Sequence, residues 1–325
     1  MSERYNNLII DVVNFAYKTF QNGLSEAPEY VGKKEIYKTS ACNFINAVES
    51  LKKSYLHSDG NVYLLFDNYF SRADMQSAFQ FADRKRLDEA YKATRKKENK
   101  QFYQTINFLR YYYMIGPEKY FTLRLDNLEA DDLVKPILSI IDSSERSLLV
   151  SSDLDWARYI RDNVHQLSSL KEDPKSFREI STELGFEITE NSLIMYKAIF
   201  GDPSDNISAL VHKTPENLAD FVEVVKNISY PEQLNLLIGD VNLRRKYPLL
   251  NSIASENGRD KIPKSRLYTI NVQLISAIKC SSEIVKANLV EGRNDETLFK
   301  SVKEAIGLEN PKQSFVFGNN KRPRA

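Results

Sequence analysis

The sequence predicts an α/β fold, with a central, mostly parallel sheet flanked by helices and a mostly helical second half. Short aliphatic runs that each end in an aspartate predict the sheet, and helical segments between them predict the flanking layers. Strand-like runs fade after about Ile188, which predicts the helical second half. The chain of 325 residues also exceeds the usual size of one domain.

Three aliphatic runs are the predicted strands. They are NLIIDVV, VYLLFD and SLLVSSD, and they contain or precede Asp11, Asp67 and Asp153. Continuous apolar runs of this length are typical of parallel strands that are buried on both faces. Ligands gather at the carboxyl ends of such strands, so three aspartates there indicate a site, although any single one could cap a helix.

Helical segments follow the strands. Apolar residues recur at helical spacing from Lys38 to Tyr55 and in ADDLVKPILSII, where Pro136 is near enough to the start to be tolerated. The strand, helix, strand order implies right-handed crossovers. The helical second half contains NSLIMYKAIF, PENLADFVEVVKNI and YTINVQLISAI.

Composition excludes several classes of protein. The net charge is only +1, so any nucleic-acid footprint must be local. Two distant cysteines argue against a structural zinc site or a disulfide framework, and the three histidines lack HExxH spacing. The start, MSERYNNLIID, has no signal-peptide core, and no run of about 18 apolar residues occurs. We therefore expect a cytoplasmic protein.

The stretch LEADDL, residues 128–133, places three acids within four positions between leucines. Like charges in apolar surroundings disfavour ionisation, so something must compensate them. One explanation is a helix start, whose positive end favours acids; the other is a bound cation. Taken alone, the motif favours the helix start.

Nine carboxylates lie at the predicted strand ends or in the motifs LEADDL, SSDLDW and GDPSDN. They are Asp11, Asp67, Glu129, Asp131, Asp132, Asp153, Asp155, Asp202 and Asp205. One cleft cannot hold so many acids without cations, and an all-oxygen ligand set selects Mg²⁺ or Mn²⁺ over zinc. Two such ions about 3.5 to 4 Å apart would activate a water and stabilise the leaving oxygen of a phosphodiester.

A basic segment lies between the second and third groups of acids. From Arg84 to Lys100 it contains eight Lys or Arg against three acids, and aromatic residues flank it. Cations that hold phosphates beside rings that stack on bases suit a single strand. The alternative is a solvated helix face, with most of the rings in the core.

The ordered motifs IIDVVNFA, LLFDN, YKATR, LEADDL, SSDLDW and KAIFGDPSDNI resemble the flap endonuclease and 5′ to 3′ exonuclease family, in its phage branch with the T-even phage ribonuclease H. The resemblance runs from about Leu8 to Ile207. It implies a PIN-like 5′-nuclease domain over residues 1–187 with a basic helical arch at about 70–105. It further implies a helical DNA-binding region over 188–310, and residues 311–325 are then expected to form a flexible basic tail.

Carried over to this chain, the resemblance assigns roles to residues. The first metal group is Asp11, Asp67, Glu129, Asp131 and Asp153, and the second is Asp132, Asp155, Asp202 and Asp205. Lys92 and Arg95 are the expected catalytic cations, and the further expected nucleic-acid contacts are Arg84, Arg86, Lys96, Lys197 and Lys213. ISALVHKTPENLADF replaces the glycine-rich hairpin of cellular members, so the side chain of Lys213 or Thr214 would replace its amide contacts.

The implied function is a structure-specific 5′ nuclease that removes flaps or RNA primers during phage-like replication. The implied cofactor is two Mg²⁺ ions, with Mn²⁺ as a substitute, and the substrate is DNA or an RNA–DNA hybrid with a 5′ end or flap. We expect a monomer. QSFVF in the tail loosely resembles clamp-binding peptides, so a sliding clamp or a single-strand-binding protein is the expected partner, although a disordered end is the simpler interpretation.

Three alternatives stay open. A non-catalytic nucleic-acid-binding protein could keep the same scaffold, although all nine acidic positions are occupied. SLLVSSDLDW also resembles the nucleophile loop of haloacid-dehalogenase-like phosphatases, but Trp156 departs from that pattern and GDPSDN is left unexplained. A toxin-like ribonuclease would need neither the basic segment nor the long helical half.

Overall fold

The computed structural model describes residues 4–18, 33–67, 100–126, 128–255 and 262–308. Six strands in these ranges form a mostly parallel sheet flanked by helices, which confirms the predicted fold class. The strands are β1 (Tyr5–Asp11), β2 (Leu56–Leu65), β3 (Tyr120–Leu123), β4 (Ser147–Val150), β5 (Val164–Leu167) and β6 (Val290–Glu291).

The chain divides into two compact units, of which the first comprises Met1–Phe66, Glu98–Leu123 and Leu289–Ala325. Its strands follow the order β1, β2, β3, β6, and only β6 is antiparallel to its neighbour. In β1 the side chains of residues 8–10 are fully buried. Burial on both faces explains why this run is aliphatic without alternation.

Helices Lys33–Tyr55, Lys100–Ile115 and Glu296–Ile306 belong to the first unit. The ring of Tyr113 packs edge-on against Phe44, with 6.4 Å between centroids, and stacks on Tyr120 at 5.3 Å. Phe102, Tyr112 and Tyr113 are all buried. For these three residues the structure therefore supports the alternative that rings near the basic segment are core.

The second unit comprises Asp67–Lys97 and Arg124–Asn288. It contains the parallel pair β4 and β5, and from there to Asn288 the described residues form helices and no further strand. The α-helices are Ala130–Ile140, Phe177–Leu184, Glu190–Phe200, Pro215–Val225, Leu234–Gly239, Val241–Lys246, Pro248–Ser255, Lys264–Ile275 and Ser282–Asn288, and the 3-10 helices are Leu154–Tyr159 and Pro231–Gln233. The expected division at residues 187–188 stays a prediction and falls within this unit.

Most of the basic segment lies outside the described residues, and so do Arg84, Arg86, Lys92, Arg95, Lys96 and the tail from 311 to 325. The expected arch and the clamp-binding peptide therefore stay predictions. In the part of the chain that is described, no helix has both the length and the apolar composition that crossing a membrane requires.

Candidate metal centre

The LEADDL motif begins the helix Ala130–Ile140, with Glu129 as its N-cap in extended conformation. The carboxylate of Asp67, just beyond β2, accepts the backbone N–H of Ala130 at 2.6 Å. Acids are stabilised at this end of a helix by its dipole and by its unpaired N–H groups. The helix-start explanation is therefore confirmed, and the same contact brings Asp67 to the motif.

Asp132 is held by two backbone groups. Its Oδ2 accepts the N–H of Glu129 at 3.0 Å, and its Oδ1 accepts the N–H of Ile278 at 2.7 Å. The residue is only 2% exposed. Asp132 thus ties the start of the Ala130–Ile140 helix to the chain after the helix Lys264–Ile275. This geometry supports a positioning role, whereas the resemblance placed Asp132 in the second metal group.

Asp131 is surrounded by like charge. Burial and the charges of Asp132 and Glu129 raise the pKa of Asp131 well above its usual value. Its side chain is 18% exposed, and among the described residues Nη2 of Arg158 lies 3.8 Å from its Oδ2. The ionised form of Asp131 is therefore poorly compensated by the protein alone, which is the condition that a bound cation would relieve.

Asp153 and Asp155 lie on the turn that follows β4. Asp153 caps the 3-10 helix Leu154–Tyr159, and its Oδ1 accepts the N–H of Asp155 at 2.9 Å. Gln166 in β5 fixes the turn by donating its Nε2 to the carbonyl oxygens of Ser151 at 2.8 Å and Asp153 at 2.9 Å. Burial and the charge of Asp155 raise the pKa of Asp153.

The GDPSDN loop begins where the helix Glu190–Phe200 ends. Gly201 has a φ of 84°, and a Cβ there would lie 2.7 Å from the backbone nitrogen of Ala209. Both the positive φ and the close backbone approach require glycine. This residue therefore sets the direction in which the two loop aspartates enter the site.

Backbone hydrogen bonds close the loop and orient Asp202. Asp202 and Ile207 exchange N–H to carbonyl bonds of 2.9 and 2.8 Å. The N–H of Ser204 donates to Oδ1 of Asp202 at 3.0 Å, and its hydroxyl donates to the same oxygen. The other carboxylate oxygen, Oδ2, is thereby turned toward Lys197.

Asp155, Asp202 and Asp205 form one buried cluster. Each offers a carboxylate oxygen, and the three oxygens lie within 4.8 Å of one another. All three residues are buried. A compact set of oxygen donors without thiol or imidazole fits a hard divalent cation such as Mg²⁺. The residues of SSDLDW and GDPSDN, distant in sequence, thus supply one candidate metal centre.

Lys197 lies inside this cluster. Its Nζ is 2.6 Å from Oδ1 of Asp155 and 2.7 Å from Oδ2 of Asp202, and the residue is 4% exposed. Burial would lower the pKa of Lys197, but the two carboxylates raise it further than burial lowers it. Burial would also raise the pKa of Asp202, yet the Lys197 ammonium and the Ser204 hydrogen bonds hold it below its usual value.

The expectation for Lys197 was a contact with the nucleic-acid backbone, and the structure instead gives it two ion-pair partners within the acid cluster. A buried lysine is tolerated only with compensating charge, which these carboxylates provide. Its role toward nucleic acid stays a prediction.

Arg158 is a functional candidate that the sequence reasoning missed. Its Nη2 lies 3.0 Å from Oδ1 of Asp155, its Nε donates to the Asp155 carbonyl at 2.7 Å, and its Nη1 donates to the carbonyl of Ile275 at 3.1 Å. The available signal was its position three residues after Asp155, which a helical turn places on the same side. Arg158 adds a second buried cation to the cluster.

The remaining predicted residues have other surroundings. Asp11, in the first unit, ends β1 and accepts the N–H of Asn14 at 3.0 Å, so its metal role stays a prediction. Lys213 donates to the hydroxyl of Tyr196 at 2.6 Å. Thr214 caps the helix Pro215–Val225, so its hydroxyl serves the chain's own backbone.

The family model described as 5'-3' exonuclease, N-terminal resolvase-like domain, matches residues 6–186. Among solved structures, the bacteriophage T5 D15 protein co-crystallised with metal ions is 18% identical, with 93% of this chain and 99% of that chain covered and a TM-score of 0.61. The T5 5'-exonuclease with bound zinc is 20% identical, with coverage of 92% and 99% and a TM-score of 0.59.

A third similar structure is a variant of the bacteriophage T5 D15 flap endonuclease, in a pseudo-enzyme-product complex with DNA and metal ions. It is 19% identical, with 93% of this chain and 99% of that chain covered and a TM-score of 0.58. No curated protein matches this chain. The family model covers more than half of the chain and includes LEADDL and SSDLDW. The chain therefore belongs to the 5′–3′ exonuclease family with an N-terminal resolvase-like domain, as its motifs predicted.

Proposed function

We propose that this protein is a Mg²⁺-dependent 5′ nuclease, a 5′–3′ exonuclease or flap endonuclease that hydrolyses phosphodiester bonds in DNA or RNA–DNA hybrids. The observation that carries the proposal is the buried cluster of Asp155, Asp202 and Asp205, whose carboxylate oxygens lie within 4.8 Å of one another. Membership of a 5′–3′ exonuclease family supports it. So do the similar T5 proteins, which are described with bound metal ions and, in one case, DNA.

Two groups of residues would hold two divalent ions. Asp155, Asp202 and Asp205 form one group, and Asp67, Glu129, Asp131 and Asp153 belong to the other. When bound, Mg²⁺ or Mn²⁺ would supply an activated water and a charge that stabilises the leaving oxygen. Asp132, which the resemblance places in the group of Asp155, is also proposed to keep the motif in place, because both of its oxygens accept backbone N–H groups.

The cations of the chain have a separate task. Lys197 neutralises Asp155 and Asp202, and it is also a proposed contact of the nucleic-acid backbone. Arg158 fixes Asp155 through both its carboxylate and its carbonyl oxygen. Lys92 and Arg95 are proposed to stabilise charge on the scissile phosphate, and the proposed contacts of the 5′ strand are Arg84, Arg86 and Lys96.

The proposed setting is DNA replication, in which the enzyme acts as a monomer on a 5′ end or flap. A sliding clamp or a single-strand-binding protein is the proposed partner. These proposals rest on the resemblance and on the QSFVF stretch, because the tail lies outside the described residues.

A cleavage assay tests the proposal. A 5′-labelled flap substrate is incubated with wild type, with Asp155→Asn and with the control Asp162→Asn, which changes an exposed acid outside the cluster. Wild type and control should cut in Mg²⁺ and not in EDTA, whereas Asp155→Asn should lose about a thousandfold in rate because a metal ligand is removed. Circular dichroism verifies the fold of each variant. A wild type that shifts the substrate but never cuts it would favour the non-catalytic alternative.

A further inference from the structure

We propose that a cavity of about 580 Å³ in the helical part of the second unit binds a backbone phosphate of the substrate duplex. This inference rests on the proposed nuclease function and concerns a site separate from the acids. The polar side chains that line the cavity are Asn235, Arg244, Ser265, Arg266 and Thr269. All of them follow the ISALVHKTPENLADF segment in sequence, and none belongs to it.

The charge of the cavity selects an anion. Two guanidinium groups line it, and among the described residues, which leave out 256–261, no carboxylate lines it. Within the described parts of the chain, neither Arg244 nor Arg266 forms an ion pair, and the buried Nε of Arg244 has no hydrogen-bond acceptor. A buried donor without an acceptor is unfavourable, and a phosphate oxygen would supply the acceptor. Guanidinium groups match phosphate in shape as well as in charge.

A helix N-terminus and hydrogen bonds between lining residues define the walls of the cavity. The helix Lys264–Ile275 begins here, and its N-cap, Pro263, provides no side-chain hydrogen bond. The positive end of this helix adds to the field of the arginines. The hydroxyl of Thr269 accepts from Nδ2 of Asn235 at 3.2 Å and donates to the carbonyl of Ser265 at 3.3 Å, which fixes one wall.

The helix Lys264–Ile275 connects the cavity to the cluster of Asp155, Asp202 and Asp205. At its far end the carbonyl of Ile275 accepts from Arg158, which contacts Asp155. Asn271, one turn earlier, donates to the carbonyls of Ala198 and Ser208 on either side of the GDPSDN loop. From Arg266 to Ile275 the helix rises about 14 Å at about 1.5 Å per residue. A stem of three base pairs is only about 10 Å long at about 3.4 Å per base pair, so it would be too short to span this length of helix.

The test compares the double variant Arg244→Gln, Arg266→Gln with a control that removes two exposed cations elsewhere, Lys171→Gln, Arg178→Gln. Hairpin substrates with stems of three and of fifteen base pairs are bound in Ca²⁺, which prevents cleavage, over a range of salt concentrations. For the long stem, the cavity variant should bind about tenfold more weakly, and the slope of log affinity against log salt concentration should fall by about one, because one phosphate contact is removed. For the short stem it should match wild type.

Equal loss on both stems, or equal loss in the cavity and control variants, would overturn the inference. Titration with inorganic phosphate, followed by NMR, separates a free anion from a backbone phosphate. Phosphate that binds at the cavity while duplex affinity is unaffected by the double variant would also overturn it. The two proposals can fail independently. The nuclease function fails if wild type cuts no substrate in Mg²⁺, whereas the cavity is tested by binding in Ca²⁺, which involves no cleavage.

Discussion

At the scale of single residues, nine acids that look equivalent in sequence have different tasks. Asp155 and Asp202 face cations in a shared cluster, whereas Asp132 accepts two backbone N–H groups. The sequence reveals their charge and their position near strand ends, from which a metal site was predicted, and the structure clusters three of them, Asp155, Asp202 and Asp205. It does not reveal which carboxylate oxygens accept backbone N–H groups. Oδ1 of Asp132, for example, accepts the N–H of Ile278, a contact that only the folded chain creates.

Replacing Asp131 should stabilise the metal-free protein. Asp131→Asn removes a charge that burial and two neighbouring acids disfavour, so the free energy of unfolding in EDTA should rise by about 1 kcal/mol or more. Mg²⁺ should raise the melting temperature of wild type and should raise that of the variant much less. Thermal melts with and without Mg²⁺ measure both effects. A variant that melts below wild type in EDTA contradicts this account of Asp131.

The same residue predicts a pH dependence. The pKa of Asp131 is raised in the folded protein, so the folded state binds this proton more tightly than the unfolded state. The contribution of Asp131 to metal-free stability should therefore increase as the pH falls from the raised value toward the usual aspartate value, about 3.9. The difference in melting temperature between Asp131→Asn and wild type should shrink over that interval. A difference that does not change with pH would contradict the assigned cause.

Replacing Asp132 should have the opposite effect. In Asp132→Asn an amide group would face one of the two backbone N–H donors, which leaves a buried donor without an acceptor. The expected cost is about 1 to 3 kcal/mol of unfolding free energy in EDTA. Urea denaturation measures it, with Asp162→Asn as an exposed control that should change stability by less than about 0.5 kcal/mol. Unchanged stability together with complete loss of metal binding would indicate that Asp132 binds the metal ion and does not position the motif.

At the scale of secondary structure elements, continuous aliphatic runs predicted the strands β1, β2 and β4, and helical spacing predicted the helices Lys33–Tyr55 and Ala130–Ile140. The helix Lys100–Ile115 was not predicted. The helix after LEADDL was predicted with Pro136 inside it, and the structure shows that helix. The GDPSDN loop was visible only as a motif. Its geometry depends on the paired backbone of Asp202 and Ile207 and on the positive φ of Asn206, which no sequence period indicates.

The loop should be sensitive to Gly201→Ala. The added Cβ would lie 2.7 Å from the nitrogen of Ala209 and 2.9 Å from the carbonyl oxygen of Ile207, at a φ that alanine disfavours. We expect Mn²⁺ affinity to fall about tenfold or more and stability to fall by about 2 kcal/mol. Gly239→Ala is the matched control, since its Cβ would have no atom within 4 Å. Calorimetric titration with Mn²⁺ measures the affinity, and equal values for the two variants would contradict the role of Gly201.

At the scale of the whole molecule, the order of strands and helices was enough to predict the α/β class and the helical second half. The two-residue strand β6 was not predictable, because a segment so short has no periodicity. The division into two units was also not predictable, since each unit combines segments that are distant in sequence. Lys197 was assigned to nucleic acid from its position just before GDPSDN. Its ion pairs were not predictable, because the one with Asp202 depends on the folded GDPSDN loop.

We propose that acids distant in sequence are brought together to bind divalent cations that act on a phosphodiester. Crystals grown with Mn²⁺ test this claim most directly, because anomalous scattering locates the ion without reference to activity. The account predicts an anomalous peak bounded by carboxylate oxygens of Asp155, Asp202 and Asp205. A map without a peak there, in which the Lys197 ammonium still joins Asp155 to Asp202, would contradict it.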